Sequence, residues 1–167
     1  MKRILGLVIV AVTSVAISMQ IVSAQPSTKP AGDARIKDIL DKLGAKYELL
    51  PDGDFKLLIP TENKRNQVVF IESKTEKLGN LEIRYISSPG YLTKGAFSAE
   101  IANKLLENSG LNKIAAWQVL TKEQTHIAVF TAKISATSEA DTVKNTLLAV
   151  GYGADAIEKE LTGKDEF

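Results

Sequence analysis

From Asp33 onward, apolar residues recur at two different periods, and the switches between them lay out the elements. Ile36, Ile39, Leu40 and Leu43 fall at helical spacing between Asp33 and Gly44. That spacing predicts a short helix with Lys37, Asp38, Asp41 and Lys42 on its wet side. Strand-like runs follow at 45–50 and 55–59. They are joined by Pro51-Asp52-Gly53-Asp54, a turn in which Pro presets φ and Gly permits a positive one. A third strand is expected from Gln67 to Glu72 and a fourth from Leu81 to Ile86. In the fourth, Leu81, Ile83 and Tyr85 alternate with Glu82 and Arg84, the mark of one wet face. Ser88-Pro89-Gly90 is expected to end this meander. A second helix is predicted from about Ser98 to Asn108, with Phe97, Ile101, Ala102, Leu105 and Leu106 inward and Gly110 past its end. Two more strands, 114–120 and 126–134, are separated by polar Thr121-Lys122-Glu123-Gln124. The last helix opens with Ser138 as the capping hydroxyl, and Val143, Leu147, Val150, Ala154, Ile157 and Leu161 form one stripe along it. Gly151 and Gly153 lie inside that stripe, where each costs roughly 1 kcal/mol. They either break the helix or admit a close neighbour.

The order helix, four strands, helix, two strands, helix defines an α+β domain over residues 33–162, with 163–167 as a C-terminal tail. Its sheet is antiparallel, with five to six strands against three helices. Three stretches are apolar on both faces: Val68-Val69-Phe70-Ile71, Ile127-Ala128-Val129-Phe130, and much of 114–120. A sheet with one wet face should alternate there. Either the second face is closed by the long helix or by curvature, or it leaves an apolar surface for a partner or a second copy. On the second reading Trp117, Val119, Ile127 and Val129 line the interface, with Val150 and Ile157 next in order.

The residues ahead of the domain change the picture of where it works. Lys2 and Arg3 precede an uncharged, mostly apolar run that ends at Val22-Ser23-Ala24. A basic start, an apolar centre and small residues before the cut make 1–24 a signal peptide. Gln25 to Gly32 then reads as a flexible leader. Losing Lys2 and Arg3 from the 21 basic residues leaves 19 against 20 acidic ones, a mature net charge of −1. That balance gives no electrostatic reason to hold nucleic acid, and no stable membrane span is expected after cleavage. The setting implied is periplasmic or secreted.

Candidate chemistry is sparse. The chain has no cysteine and one histidine, which excludes disulfides, thiolate metal sites and cysteine nucleophiles. His126 opens a strand, with no G-x-S-x-G elbow in the chain to present a serine to it. Asp52-Gly53-Asp54 begins like a calcium loop, but the twelfth position is Asn63 rather than a carboxylate. Gly151-Tyr152-Gly153 falls inside a helical pattern, with no strand before it to make a phosphate loop. Lys64-Arg65, Lys74 and Lys77 are interleaved with Glu62, Glu72 and Glu76, as on a solvated loop. No cofactor, metal or catalytic residue is assigned.

Leu43-Gly44 closing the first helix, Tyr47-Glu48 in the first strand, the acidic Asp52-Gly53-Asp54 turn and the order of elements resemble the YbjN-like bacterial domains. These are similar in fold to class I type III secretion chaperones. The resemblance spans about residues 33–162. It implies a domain that binds protein partners or dimerises, without enzymatic activity. The expected function is an exported, non-catalytic protein-binding, chaperone-like or regulatory module, its partner another protein or a second copy in a homodimer. Two alternatives are a small-molecule or lipid carrier with an apolar cavity, and an envelope hydrolase using His126 as general base. The export reading predicts that protein isolated from producing cells begins at Gln25 on N-terminal sequencing. A chain still starting at Met1 would refute cleavage.

Overall fold

The computed structural model describes residues 31–167. The expected signal peptide 1–24, and the expected leader as far as residue 30, lie outside the described residues. Ten main elements follow in order: α1 (Ala34–Lys42), β1 (Tyr47–Leu49), β2 (Phe55–Pro60), β3 (Asn66–Ile71), β4 (Glu76–Leu78), β5 (Leu81–Lys94), α2 (Ala99–Leu111), β6 (Ala115–Lys122), β7 (Thr125–Ser135) and α3 (Ala140–Thr162). All strand pairs are antiparallel, in the order β1-β2-β3-β5-β7-β6, with β4 folded onto the start of β5. The α+β order read from the sequence holds, and the short β4 brings the sheet to seven strands.

Several boundaries differ, each for a physical reason. β5 does not stop at Ser88-Pro89-Gly90 but runs on to Lys94, with its pairing to β7 shifted between Pro89 and Tyr91. A bulge absorbs a proline that cannot donate to the ladder. Gly110 does not end α2, which continues to Leu111. The N-cap of α3 is Glu139 rather than Ser138, and its side chain makes no capping bond. Gly32, expected in the leader, already belongs to the packed domain: a Cβ there would lie 2.8 Å from Phe55 Cζ. The C-terminal segment is likewise tied down, because the Val68 N–H donates to the Phe167 carbonyl over 3.1 Å.

The three helices share one face of the sheet. Phe55, Leu57 and Ile59 of β2, Val69 and Ile71 of β3, Ile86 of β5, and Phe130 and Ala132 of β7 pack with Ile36 and Leu40 of α1. Val143, Leu147, Val150 and Ala154 of α3 complete this core. A smaller cluster gathers Leu105 of α2, Ala128 and Ile157, with Tyr91, Phe97 and Trp117 against it. Strand alternation puts Leu58, Val68, Phe70, Ile127 and Val129 on the opposite face, and none of them joins either cluster.

α3 stays continuous through Gly151 and Gly153 because both glycines touch the sheet. A Cβ on Gly151 would sit 3.2 Å from Ile59 Cβ, and one on Gly153 only 2.5 Å from Phe130 Cε1. Gly90 plays the same part for Trp117, whose Cη2 would be 2.5 Å from an added Cβ. The glycines therefore trade helix propensity for close packing. Gly153→Ala should lower stability by about 1–3 kcal/mol in urea unfolding, through overpacking against the buried Phe130 ring. Gly110→Ala, whose Cβ meets nothing within 4 Å, should raise it by about 0.5–1 kcal/mol. Equal effects of the two substitutions would refute the close-packing account.

Candidate functional site

β6 owes its place at the sheet edge to a two-residue turn. Glu123, with a φ of 56°, and Gln124 fold β6 back on β7, while β7 pairs on its other side with β5. The outer side of β6 is then met by α2, but only along its first half. The Trp117 N–H donates to Ser109 Oγ over 2.9 Å, and the Trp117 indole N–H to Asn108 Oδ1 over 2.8 Å. The Trp117 backbone N–H thus turns outward, away from β7. By the two-residue repeat of an antiparallel strand, Val119 and Thr121 turn their N–H and C=O groups the same way. Among the described residues no group bonds to them there.

Two apolar side chains, Val119 and Leu120, stand on this open half among polar Gln118, Thr121 and Lys122. Val119 and Leu120 are each about half exposed, on opposite faces of the sheet, and Leu106 of α2 is exposed beside Val119. A hollow of about 200 Å³ between α2 and β6 is lined by Phe97, Ala102, Leu105, Leu106, Trp117 and Val119. On the face opposite the three described helices, Leu92 pairs with Ile127 and Ile127 with Leu120, so an apolar ladder ends at the edge. Natural edges are usually short, charged or bulged. β1, at the other edge, is three residues long, and its Glu48 pairs with Lys56.

The residues expected to line an interface separate into two groups. Val119 and Ile127 lie on or beside the open edge, and Trp117 is half-buried, stacked 4.9 Å from Phe130. Val129, Val150 and Ile157 are a correction. All three are buried within the single chain, the latter two because the α3 stripe is spent on the sheet and on the α2 cluster. Leu106 was expected inward and instead points out, 68% exposed. Its signal was available, since Leu105 and Leu106 are adjacent and one helix face cannot bury both equally.

Other candidate groups are already occupied. Asp52 and Asp54 build their own turn and its neighbour, accepting from the Asp54 and Ser73 N–H groups. Asp155, Glu158 and Asp165 lie close enough together to share a cation, but Arg65 sits among them, bonded to Asp155 over 2.7 Å and Glu158 over 3.0 Å. Burial pushes the Glu158 carboxyl above its ordinary value. His126 stacks edge-on against Phe97, and its enclosed Nδ1 has no hydrogen-bond partner among the described residues. A hollow of about 740 Å³ beside Tyr152 is lined by Glu62, Asp155 and Lys159 as well as Pro60 and Thr61. Among the described residues no helix is long and apolar enough to cross a membrane. The chain matches no protein-family model, and no curated protein matches it either.

At the far end of the sheet, Arg84 is fully buried and donates to the Glu72 and Ser73 carbonyls and to Asp33 Oδ2, the last over 2.6 Å. Asp33 also caps α1 and pairs with Arg35, which in turn grips Glu82. The Arg35 guanidinium, with Arg84 behind it, holds the Asp33 carboxyl well below the usual carboxylate range, against the upward push of burial. Arg35 and Thr75 likewise lower Glu82 to about 2. Both carboxyls titrate lower in the folded state, so their stabilisation is present above about pH 4 and lost as the pH falls toward 2. Asp33→Asn keeps a capping side chain but leaves buried Arg84 with carbonyl acceptors and no counter-charge. It should cost roughly 3 kcal/mol at pH 7 and flatten the acid limb of stability against pH, as measured by denaturant titration. An unchanged acid limb would show that Asp33 does not carry it.

Proposed function

We propose that the chain is an exported, non-catalytic protein-binding module, chaperone-like or regulatory, that takes its partner on the outer edge of β6. One observation carries this reading. Outward backbone groups at Val119 and Thr121 coincide with exposed apolar side chains at Val119 and Leu120. An extended polypeptide satisfies both at once, its main chain by hydrogen bonds and its alternate side chains by apolar contact. The hollow beside Val119, about 200 Å³, suits a single side chain and falls below the ~300–1,000 Å³ of small-molecule pockets. The hollow beside Tyr152 is large enough, at about 740 Å³, but Glu62, Asp155 and Lys159 line it, so it lacks the apolar wall that a lipid would need. Together the two hollows support docking over the carriage of a lipid. For a hydrolase, His126 would need an acid to orient it, and its enclosed Nδ1 has no hydrogen-bond partner among the described residues. The resemblance to YbjN-like domains at Leu43-Gly44, Tyr47-Glu48 and Asp52-Gly53-Asp54 points toward binding as well. Export, as read in residues 1–24, would set the surface in the periplasm or outside the cell.

The test is photo-crosslinking in producing cells. With Leu120 replaced by benzoylphenylalanine, irradiation should yield a discrete adduct with another polypeptide. The same probe replacing Lys56, beside the opposite edge, should yield none. Absence of an adduct from position 120 would overturn the docking role.

A further inference from the structure

The identity of the partner follows from how the apolar ladder meets the edge, and it rests on the docking role of β6 just described. Leu92, Ile127 and Leu120 stand side by side across β5, β7 and β6, all on the face that no helix covers among the described residues. The ladder stops at Leu120, the residue flanked by the two sets of free backbone groups, at Val119 and Thr121. We infer that the occupant of this edge is a second copy of the chain. Its β6 runs antiparallel to the first about a two-fold axis through Leu120, making one continuous sheet.

The axis at Leu120 suits the groups available best. Outward-facing residues must pair with outward-facing residues, so Val119 of each copy meets Thr121 of the other, giving two reciprocal pairs of hydrogen bonds. A two-fold through Val119 would pair Thr121 with Trp117, whose N–H is already given to Ser109. A two-fold through Thr121 would set Val119 against Glu123 of the turn and apolar Leu120 against Lys122. A two-fold through Lys122 would set like charges directly opposite, which is destabilising. With the axis at Leu120, Lys122 faces neutral Gln118, and Lys122 is the one charged side chain in β6. The two Leu120 side chains meet, and the ladder becomes Leu92, Ile127, Leu120 and the same three residues in reverse. An isologous contact of this kind is self-complementary and closes after two copies. It covers apolar side chains on both faces of the edge, Leu120 on one and Val119 on the other.

The absence of cysteine from the chain makes the register directly readable. Facing residues that do not hydrogen-bond each other lie about 4.5 Å apart at Cα, within reach of a disulfide. Oxidised Leu120→Cys should therefore convert almost entirely to a covalent dimer. In Gln118→Cys the two thiols stand four positions apart along the strands, about 13 Å, and the protein should stay uncrosslinked. In sedimentation the unaltered chain should be a dimer. Thr121→Pro should weaken that dimer at least tenfold with an unchanged circular dichroism spectrum, because the N–H it removes points away from β7. If Thr121→Pro proves unfolded, Leu120→Lys serves the same purpose, since Leu120 is half exposed. A monomer at tens of micromolar, or equal crosslinking of Gln118→Cys and Leu120→Cys, would overturn the second-copy inference. A photo-adduct from position 120 whose mass is not twice that of the chain would overturn it too, while leaving the docking edge standing. No adduct at all would remove both.

Discussion

The ring of Phe130 is the point on which the rest of the domain bears. It is fully buried, with Gly153 of α3 pressed on one side and the Trp117 indole stacked 4.9 Å away. Trp117 is held in its turn by Gly90 beneath it and by Asn108 and Ser109 of α2. Long helix, central strand, edge strand and second helix are thus joined through two aromatic rings and two glycines. A side chain larger than hydrogen at either glycine separates the layers. Because α2 is fastened to β6 at Trp117, its backbone cover ends there, and among the described residues the strand beyond is left with unpaired backbone and exposed Val119 and Leu120. The open edge is a consequence of where the anchor lies.

Two arginines secure the start of α1 and the segment after α3 to the sheet. Arg84, without exposure, ties Asp33 at the entrance of α1 to the turn after β3. Arg65 joins the β2–β3 connection to Asp155 and Glu158 and to the Lys164 carbonyl beyond α3. Buried guanidinium groups cost desolvation energy that only several well-placed acceptors offset, so each one enforces a particular arrangement more than it adds net stability. Between them the β3–β5 ladder is short, with Phe70 facing Ser87 and Ile71 facing Ile86. The gap beyond is closed by Gln67 donating to Ser88, and Ser88 to the Val68 carbonyl.

Periodicity made the elements legible because it is local. The stripe of Val143 through Ile157, the alternation at 81–86 and the turn at 51–54 each depend on residues within a few positions of one another. The errors fell where a distant contact overrode a local rule. Pro89 and Gly90 look like a terminator until Trp117 and Val129 are beside them, and Gly151 and Gly153 look like breakers until Ile59 and Phe130 fill the space. Val129, Val150 and Ile157 shared the apolar character of Val119 and Ile127, so composition had no means of telling core from edge.

By itself, then, the sequence determined an α+β chain of this element order, the shortage of helical cover for its sheet, and the poverty of catalytic groups. These follow from residue types and short-range spacing alone. Which face the helices shield, which strand lies outermost, and which half of that strand α2 leaves open were decided by the tertiary structure. Those outcomes depend on pairings such as Trp117 with Ser109 and Phe130 with Gly153, and such pairings exist only once segments far apart in the chain have been brought together.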